Sequence, residues 1–115
     1  MTGITYQLDD FSPVGTSLRG HVTASYGTMI EVFGEPNMPF SDKIWNEWAV
    51  RFNVPDDDDL DSEEVYVTIY DWKETHPNQS KSGDYRWHIG SKSSEAAWLV
   101  QDLLDSPETM MRANA

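Results

Sequence analysis

The chain has 115 residues, which is enough for one domain with a hydrophobic core and too few for two. Twenty acidic residues against eight basic ones give a formal net charge of −12, which disfavours nucleic acid and anionic membranes as direct partners. The chain has no cysteine, which excludes a disulfide framework and a thiolate nucleophile. Since no apolar run approaches the roughly 20 residues that span a bilayer and no signal-peptide pattern is present, we expect a cytoplasmic protein.

The first third of the chain predicts two strands followed by a helix. Alternating apolar residues place the strands at residues 4–8 and 18–24, within an N-terminal segment that spans residues 1–24. Ser25 can cap the helix, and Gly34 is typical of its end. The residues spaced for its buried side are Met29, Ile30 and Phe33.

Three further strands are predicted, at residues 44–53, 65–73 and 85–89. The second of them has apolar residues on both faces, which is typical of a central strand. A last helix is expected over residues 93–104, and residues 106–115 are expected to fray. Because short loops without crossover helices join the strands, the sequence predicts a single α+β domain, an antiparallel β-sheet with two helices packed on one face.

Residues 54–64 carry seven acids and no base. Burying an unpaired carboxylate costs several kcal/mol or more, so we expect a solvated acidic loop between two strands. Such a loop favours a basic protein surface as partner, while acidity that only improves solubility is the simpler alternative. The loop lacks the glycine and the flanking helices of an EF-hand, so no calcium site is predicted. The loop residues expected to bind a partner are Asp56, Asp57, Asp58, Asp59 and Asp61.

Two of the five tryptophans, Trp45 and Trp72, lie on the second faces of their predicted strands. We expect these two to be the most exposed, and the other three to belong mainly to the core. Exposed tryptophans on a sheet form interfaces or stacking platforms, so Trp45 and Trp72 join the predicted partner-binding residues.

A second candidate site lies where the last predicted strand leads into the last helix. A helix N-terminus offers unpaired backbone N–H groups and a positive dipole end, which favour an anion. The basic and hydroxyl residues predicted to hold a phosphate or nucleotide there are Arg86, His88, Ser91, Lys92, Ser93 and Ser94. The alternative is that a serine only caps the helix and that Arg86 pairs with a neighbouring acid.

The sequence contains no recognised catalytic motif. There is no nucleophile elbow, Walker loop or dinucleotide fingerprint, and the three histidines lack metal-ligand spacing. Asp71 and His88 lie on neighbouring predicted strands and could meet as a base and its orienting group, although such pairs are more often structural. We therefore expect a protein that is not an enzyme and that holds no metal and no cofactor.

Three segments resemble a family of short uncharacterised proteins encoded by tailed bacteriophages. They are residues 26–36 (YGTMIEVFGEP), 67–74 (VTIYDWKE) and 87–91 (WHIGS), and the resemblance covers about residues 25–104. It implies a phage origin and an α+β fold, and it implies no specific activity.

Small acidic phage proteins without catalytic motifs commonly act in counter-defence, so three functions are expected. The first is an inhibitor that occupies a basic surface of a host protein, which the net charge favours. The second is a sponge that sequesters a nucleotide messenger at residues 86–94, which the local basic cluster favours. The third is a structural or regulatory component of the phage. A homodimer through an exposed edge strand at residues 4–8 also stays open.

Overall fold

A computed structural model describes residues 3–11, 15–41, 43–55 and 62–113. In these residues six strands form one sheet. The strands are β1 (Thr5–Leu8), β2 (Ser17–Ser25), β3 (Glu47–Pro55), β4 (Ser62–Tyr70), β5 (Asp84–Ser91) and β6 (Met111–Arg112). Their spatial order is β2-β5-β4-β3-β1-β6, and neighbouring strands pair antiparallel, except that β6 pairs parallel with β1. The helices are α1 (Tyr26–Phe33) and α2 (Ala96–Asp105). In this part of the chain no helix is long and apolar enough to cross a membrane.

The predicted α+β architecture is confirmed. Both helices pack on one face of the sheet, because their buried residues and those of the strands form one cluster. At its centre Trp48 and Trp87 contact edge to face with ring centroids 5.2 Å apart, and neither ring is exposed. Their indole N–H groups donate to the carbonyl oxygens of Gly34 and Ala24, so burial leaves no indole nitrogen unpaired.

The signals around α1 act as predicted. The hydroxyl of Ser25 accepts the backbone N–H of Thr28 at 3.1 Å, and Gly34 ends the helix with φ 86°. The buried side of α1 differs from the prediction in one residue. Val32 is buried in place of Ile30, which is only partly buried.

The middle strands keep their predicted faces but shift their ends. β3 begins at Glu47 rather than at residue 44, because the carboxylate of Asp71 binds the backbone N–H groups of Trp45 and Asn46. β4 ends at Tyr70 and begins at residue 62, where it pairs with Pro55. The acidic segment is therefore a shorter loop than expected, since Glu63 and Glu64 belong to the strand and keep their side chains exposed.

The C-terminal tail also differs from its expected frayed state. Met111 donates its backbone N–H to Ile4 and pairs in register with Thr5, so β6 covers part of the β1 edge. Met110 anchors the turn because its side chain is 7% exposed. Since β1 lies between β3 and β6, the edge strand that the sequence left open at residues 4–8 is an inner strand, and the outer strands of the described sheet are β2 and β6.

Candidate functional site

The face of the sheet opposite α1 and α2 is the candidate site, and we call it the open face. Because side chains alternate along a strand, the neighbours of the core residues on β2 to β5 point to this face. No helix of the described part of the chain packs on it, since the buried helix residues lie in the core on the other side. The residues that occupy its centre are His21, Glu47, Tyr66, Thr68, Tyr70, Arg86 and His88.

One row of titratable side chains crosses the open face. His21 on β2 pairs in register with His88 on β5, which pairs with Tyr70 on β4, which pairs with Glu47 on β3. The imidazole centroids of His21 and His88 are 4.6 Å apart, and the ring of His88 stacks on that of Tyr70 at 5.5 Å. The row is therefore one contiguous set of rings that ends in a carboxyl group.

Trp72 extends this row at the end of β4. Its ring lies 6.1 Å from the ring of Tyr70 and 6.3 Å from that of His88, and the residue is 37% exposed. The Nζ atoms of Lys43 and Lys73 each lie 5.7 Å from the Trp72 ring centroid, within the range of a cation–π contact.

These rings and the basic side chains beside them form a surface that we call the ring-and-cation patch. Its members are His21, Lys43, Tyr70, Trp72, Lys73, Arg86 and His88.

The imidazoles of the patch favour the neutral form. Burial lowers the pKa of His88, and the neighbouring His21 and Arg86 lower it further, although Glu74 and Asp71 act in the opposite direction. Burial, followed by Arg86, lowers the pKa of His21 as well. The Nδ1 atom of His88 is buried and has no hydrogen-bond partner among the described residues. At neutral pH the positive charge of the patch therefore comes from its lysines and Arg86 rather than from the histidines.

Glu47 closes the row with a carboxyl group that is hard to ionise. The residue is 6% exposed, and burial together with the nearby Asp71 raises its pKa to about 7. Both causes act against the charged form of Glu47, because burial removes water from its carboxylate and Asp71 repels it.

Asp71 has a structural role. Its Oδ1 accepts the backbone N–H groups of Trp45 and Asn46 at 2.8 and 3.1 Å. Its Oδ2 accepts the amide of Asn46 at 3.1 Å and the hydroxyl of Ser80 at 2.8 Å. These bonds fasten two loops to the end of β4 and do not involve His88, so the suggested pairing of Asp71 with His88 as base and orienting group is not formed.

The opposite end of the sheet carries a cleft of about 780 Å³. Its aromatic wall is the pair Phe11 and Tyr66, whose rings meet edge to face at 5.0 Å. Beside it Arg51 contacts the carboxylates of Asp9 at 3.0 Å and of Glu64 at 3.4 Å. The remaining lining residues are Thr16, Glu63, Glu64, Val65, Ser91, Lys92, Ser93, Ser94 and Glu95.

Of the predicted partner-binding residues, the structure describes only Trp45 and Trp72. Asp56, Asp57, Asp58, Asp59 and Asp61 lie outside the described residues, in the connection between Pro55 and Ser62. Trp45 and Trp72 are each 37% exposed and lie at the other end of β3 and β4. With about 3.3 Å of rise per residue, the nine residues of β3 separate the two ends by roughly 26 Å.

The predicted anion-binding residues are divided. Arg86 and His88 point to the open face and belong to the ring-and-cation patch, whereas the other four, Ser91, Lys92, Ser93 and Ser94, line the cleft. The serine hydroxyls there are used locally. Ser91 donates to the carbonyl of Tyr66 at 2.6 Å and accepts the N–H of Ser93, and the hydroxyl of Ser93 accepts the N–H of Glu95.

Sequence reasoning missed several residues of the open face. It placed Tyr70 on the second face of its strand without linking it to a site, and it named neither Lys43 nor Lys73. Strand alternation could have found Tyr70 and His21, but only the register between strands brings them together with His88. Trp98 on α2 was expected in the core and is instead 54% exposed, the most exposed of the tryptophans.

Comparisons with known proteins yield no match. No protein-family model, no curated protein and no solved structure is similar to this chain.

Proposed function

We propose that this chain is a small non-catalytic binding protein that occupies a basic surface of another protein. On the resemblance to short phage proteins, the partner is a host protein and the binding acts in counter-defence. The observation that carries the proposal is the concentration of exposed acids at one end of the sheet, where β3 and β4 pair as far as Pro55 and Ser62.

The acidic end offers more than the aspartate run. Glu63 and Glu64 are exposed at the start of β4, and Glu95 is exposed across the cleft that they line together. Arg51 lies with its Nε 3.4 Å from Oε2 of Glu64, but it pairs more closely with Asp9 at 3.0 Å. Glu63 has no ion pair in the described part of the chain. Exposed and uncompensated carboxylates attract a basic partner at long range and suppress the binding of acidic ones.

Aromatic residues beside these acids support the same kind of partner. The rings of Phe11 and Tyr66 form a wall of the cleft, and Tyr66 is 38% exposed. A planar guanidinium can stack on such rings while it pairs with a carboxylate, which makes arginine a better match than lysine. The proposed partner surface is therefore basic and rich in arginine.

The test combines capture with association kinetics. The immobilised chain is exposed to a bacterial lysate, and a captured protein is purified and measured against the variant Glu63→Gln/Glu64→Gln. The matched control is Glu31→Gln/Glu108→Gln, which removes two exposed acids on α1 and on the turn after α2.

We expect the acidic-end variant to associate several-fold more slowly than the control variant at about 0.1 M salt. The difference should largely vanish at about 1 M salt, because the screening length falls from about 10 Å to about 3 Å. Equal association rates for the two variants at low salt would remove the acidic end from the interface.

A further inference from the structure

The ring-and-cation patch concentrates positive charge on an acidic protein. Lys43, Lys73 and Arg86 are three of only eight basic residues in a chain of net charge −12. All three side chains are exposed, and none makes an ion pair with a carboxylate among the described residues. The two carboxylates that act on His88 are otherwise engaged. Asp71 is buried in its hydrogen-bond network, and Glu74 accepts the hydroxyl of Tyr85 at 2.6 Å.

The rings of the patch are positioned by the fold. Trp72 donates its backbone N–H to the hydroxyl of Tyr85 at 3.2 Å, and the lysine after it adopts a left-handed backbone with φ 58°. This turn places the indole next to Tyr70 and His88, while Lys73 donates its backbone N–H to the carbonyl of Lys43 at 2.8 Å. One hydrogen bond thus holds together the two chain segments that carry the lysines.

Partly exposed rings beside uncompensated cations match a ligand with a planar ring and a negative charge. Bases stack on tryptophan, tyrosine and histidine, and ammonium and guanidinium groups bind phosphate. A long polyanion fits less well, because it would extend beyond the three cations and be repelled by a chain of net charge −12. The match is therefore to a mononucleotide rather than to a nucleic acid strand.

We propose that the ring-and-cation patch binds a nucleoside phosphate, with the base stacked on the aromatic rings around Trp72 and the phosphate held by Lys43, Lys73 and Arg86. This site shares Arg86 and His88 with the anion site expected from the sequence. It lies at the end of β4, however, whereas the expected site lay at the start of α2. It does not depend on the proposed protein partner, since the two sites lie at opposite ends of the open face.

The test uses calorimetry of the purified chain with ADP, and with adenosine and inorganic pyrophosphate as its separate halves. ADP should bind at least about tenfold more tightly than either half, because only ADP uses the rings and the cations together. Trp72→Leu and Lys73→Met should each weaken ADP binding about tenfold.

Two matched controls come from elsewhere on the surface. Trp98→Leu removes a tryptophan on α2 that is more exposed than Trp72, and Lys81→Met removes a lysine whose Nζ lies 4.9 Å from the ring centroid of Tyr26. Neither should change ADP binding, and circular dichroism should show that all four variants are folded.

Three results would overturn the proposal. One is the absence of heat with ADP at concentrations up to the millimolar range. Another is an equal loss in Trp98→Leu and Trp72→Leu, which would indicate nonspecific stacking. The third is a loss of binding in Lys92→Met with Lys73→Met unaffected, which would place the anion in the cleft at the start of α2. All three readouts use the chain without a protein partner, so they are separate from the test of the acidic end.

Discussion

At the scale of single residues, the open face holds an acid and two bases whose pKa values burial shifts in opposite directions. Burial raises the pKa of Glu47 to about 7 and lowers the pKa of His21 and of His88. All of these shifts favour the neutral form of the side chain, as expected for groups that lose contact with water. The two histidines of the row are therefore mainly neutral at pH 7, whereas Glu47, with a pKa of about 7, is partly ionised, and the neighbouring lysines and Arg86 supply positive charge.

Glu47 gives a prediction for the pH dependence of stability. Folding raises the pKa of Glu47 from 4.5 to about 7. The contribution of Glu47 to the unfolding free energy is therefore fully present below pH 4.5 and is lost as the pH rises through about 7. A rise of about 2.5 units corresponds to about 3 kcal/mol at 1.36 kcal/mol per unit. We expect Glu47→Gln to gain up to about 3 kcal/mol in unfolding free energy relative to wild type between pH 4.5 and about pH 8.

Urea unfolding at the two pH values measures this gain, and the histidine contributions cancel because both proteins retain His21 and His88. The control Glu31→Gln, an exposed residue of α1, should show the same difference from wild type at both pH values. A constant difference for Glu47→Gln as well would mean that Glu47 ionises normally in the folded chain.

At the scale of elements, the contact between β2 and α2 depends on a glycine. A Cβ atom added at Gly20 would lie 2.9 Å from the Cβ atom of Ala97, which is closer than carbon atoms approach. We expect Gly20→Ala to lower the unfolding free energy by about 1–3 kcal/mol, because α2 must move away from the sheet. Ala97→Gly alone should cost up to about 1 kcal/mol through its lower helix propensity.

The double variant Gly20→Ala/Ala97→Gly tests the cause of the loss. With the clashing atom removed, its unfolding free energy should exceed the additive value from the two single variants by about 1 kcal/mol or more. Strict additivity in denaturant unfolding would show that the loss comes from the backbone at Gly20 and not from the helix contact.

The elements themselves were largely predictable, because apolar alternation and helix caps act locally. Residues 65–69 alternate between core and open face, and Ser25 and Gly34 bound α1 as expected. The ends of β3 and β4 were not predictable, since they depend on Asp71 binding backbone groups some 25 residues earlier in the chain. The strand β6 was missed for the same reason, because its two residues gain their pairing only from β1.

The site was less predictable than the fold. The sequence analysis grouped Arg86 and His88 with residues 91–94 because they are close along the chain. In the structure Arg86 and His88 point to the open face, whereas residues 91–94 line the cleft at the other end of the sheet. The neighbours that define the patch come from β2, β4 and the loop before β3, and only strand register brings them together.

At the scale of the whole molecule, the charge is unevenly distributed along the open face. Cations gather around Trp72, and acids gather roughly 26 Å away where β3 meets β4. Self-repulsion in a chain of net charge −12 opposes folding, and it is strongest where like charges are close in sequence.

Removing clustered charge should therefore stabilise the chain more than removing dispersed charge. Asp56, Asp57, Asp58 and Asp59 changed together to Asn bring the net charge from −12 to −8, and we expect the melting temperature to rise. The matched control changes four exposed acids on separate elements, by the substitutions Asp10→Asn, Glu31→Gln, Asp84→Asn and Glu108→Gln. It reaches the same net charge, but its members lie in different parts of the fold and not in one consecutive run, so we expect them to repel one another less.

Thermal unfolding at low and high salt measures the comparison. The clustered variant should melt at a higher temperature than the dispersed variant at about 0.1 M salt, and the two should converge at about 1 M salt, where the screening length is about 3 Å. A lower melting temperature for the clustered variant would mean that the aspartates make stabilising contacts. The aspartates would then contribute to folding, and the case for the acidic end as a partner surface would rest on Glu63 and Glu64 alone.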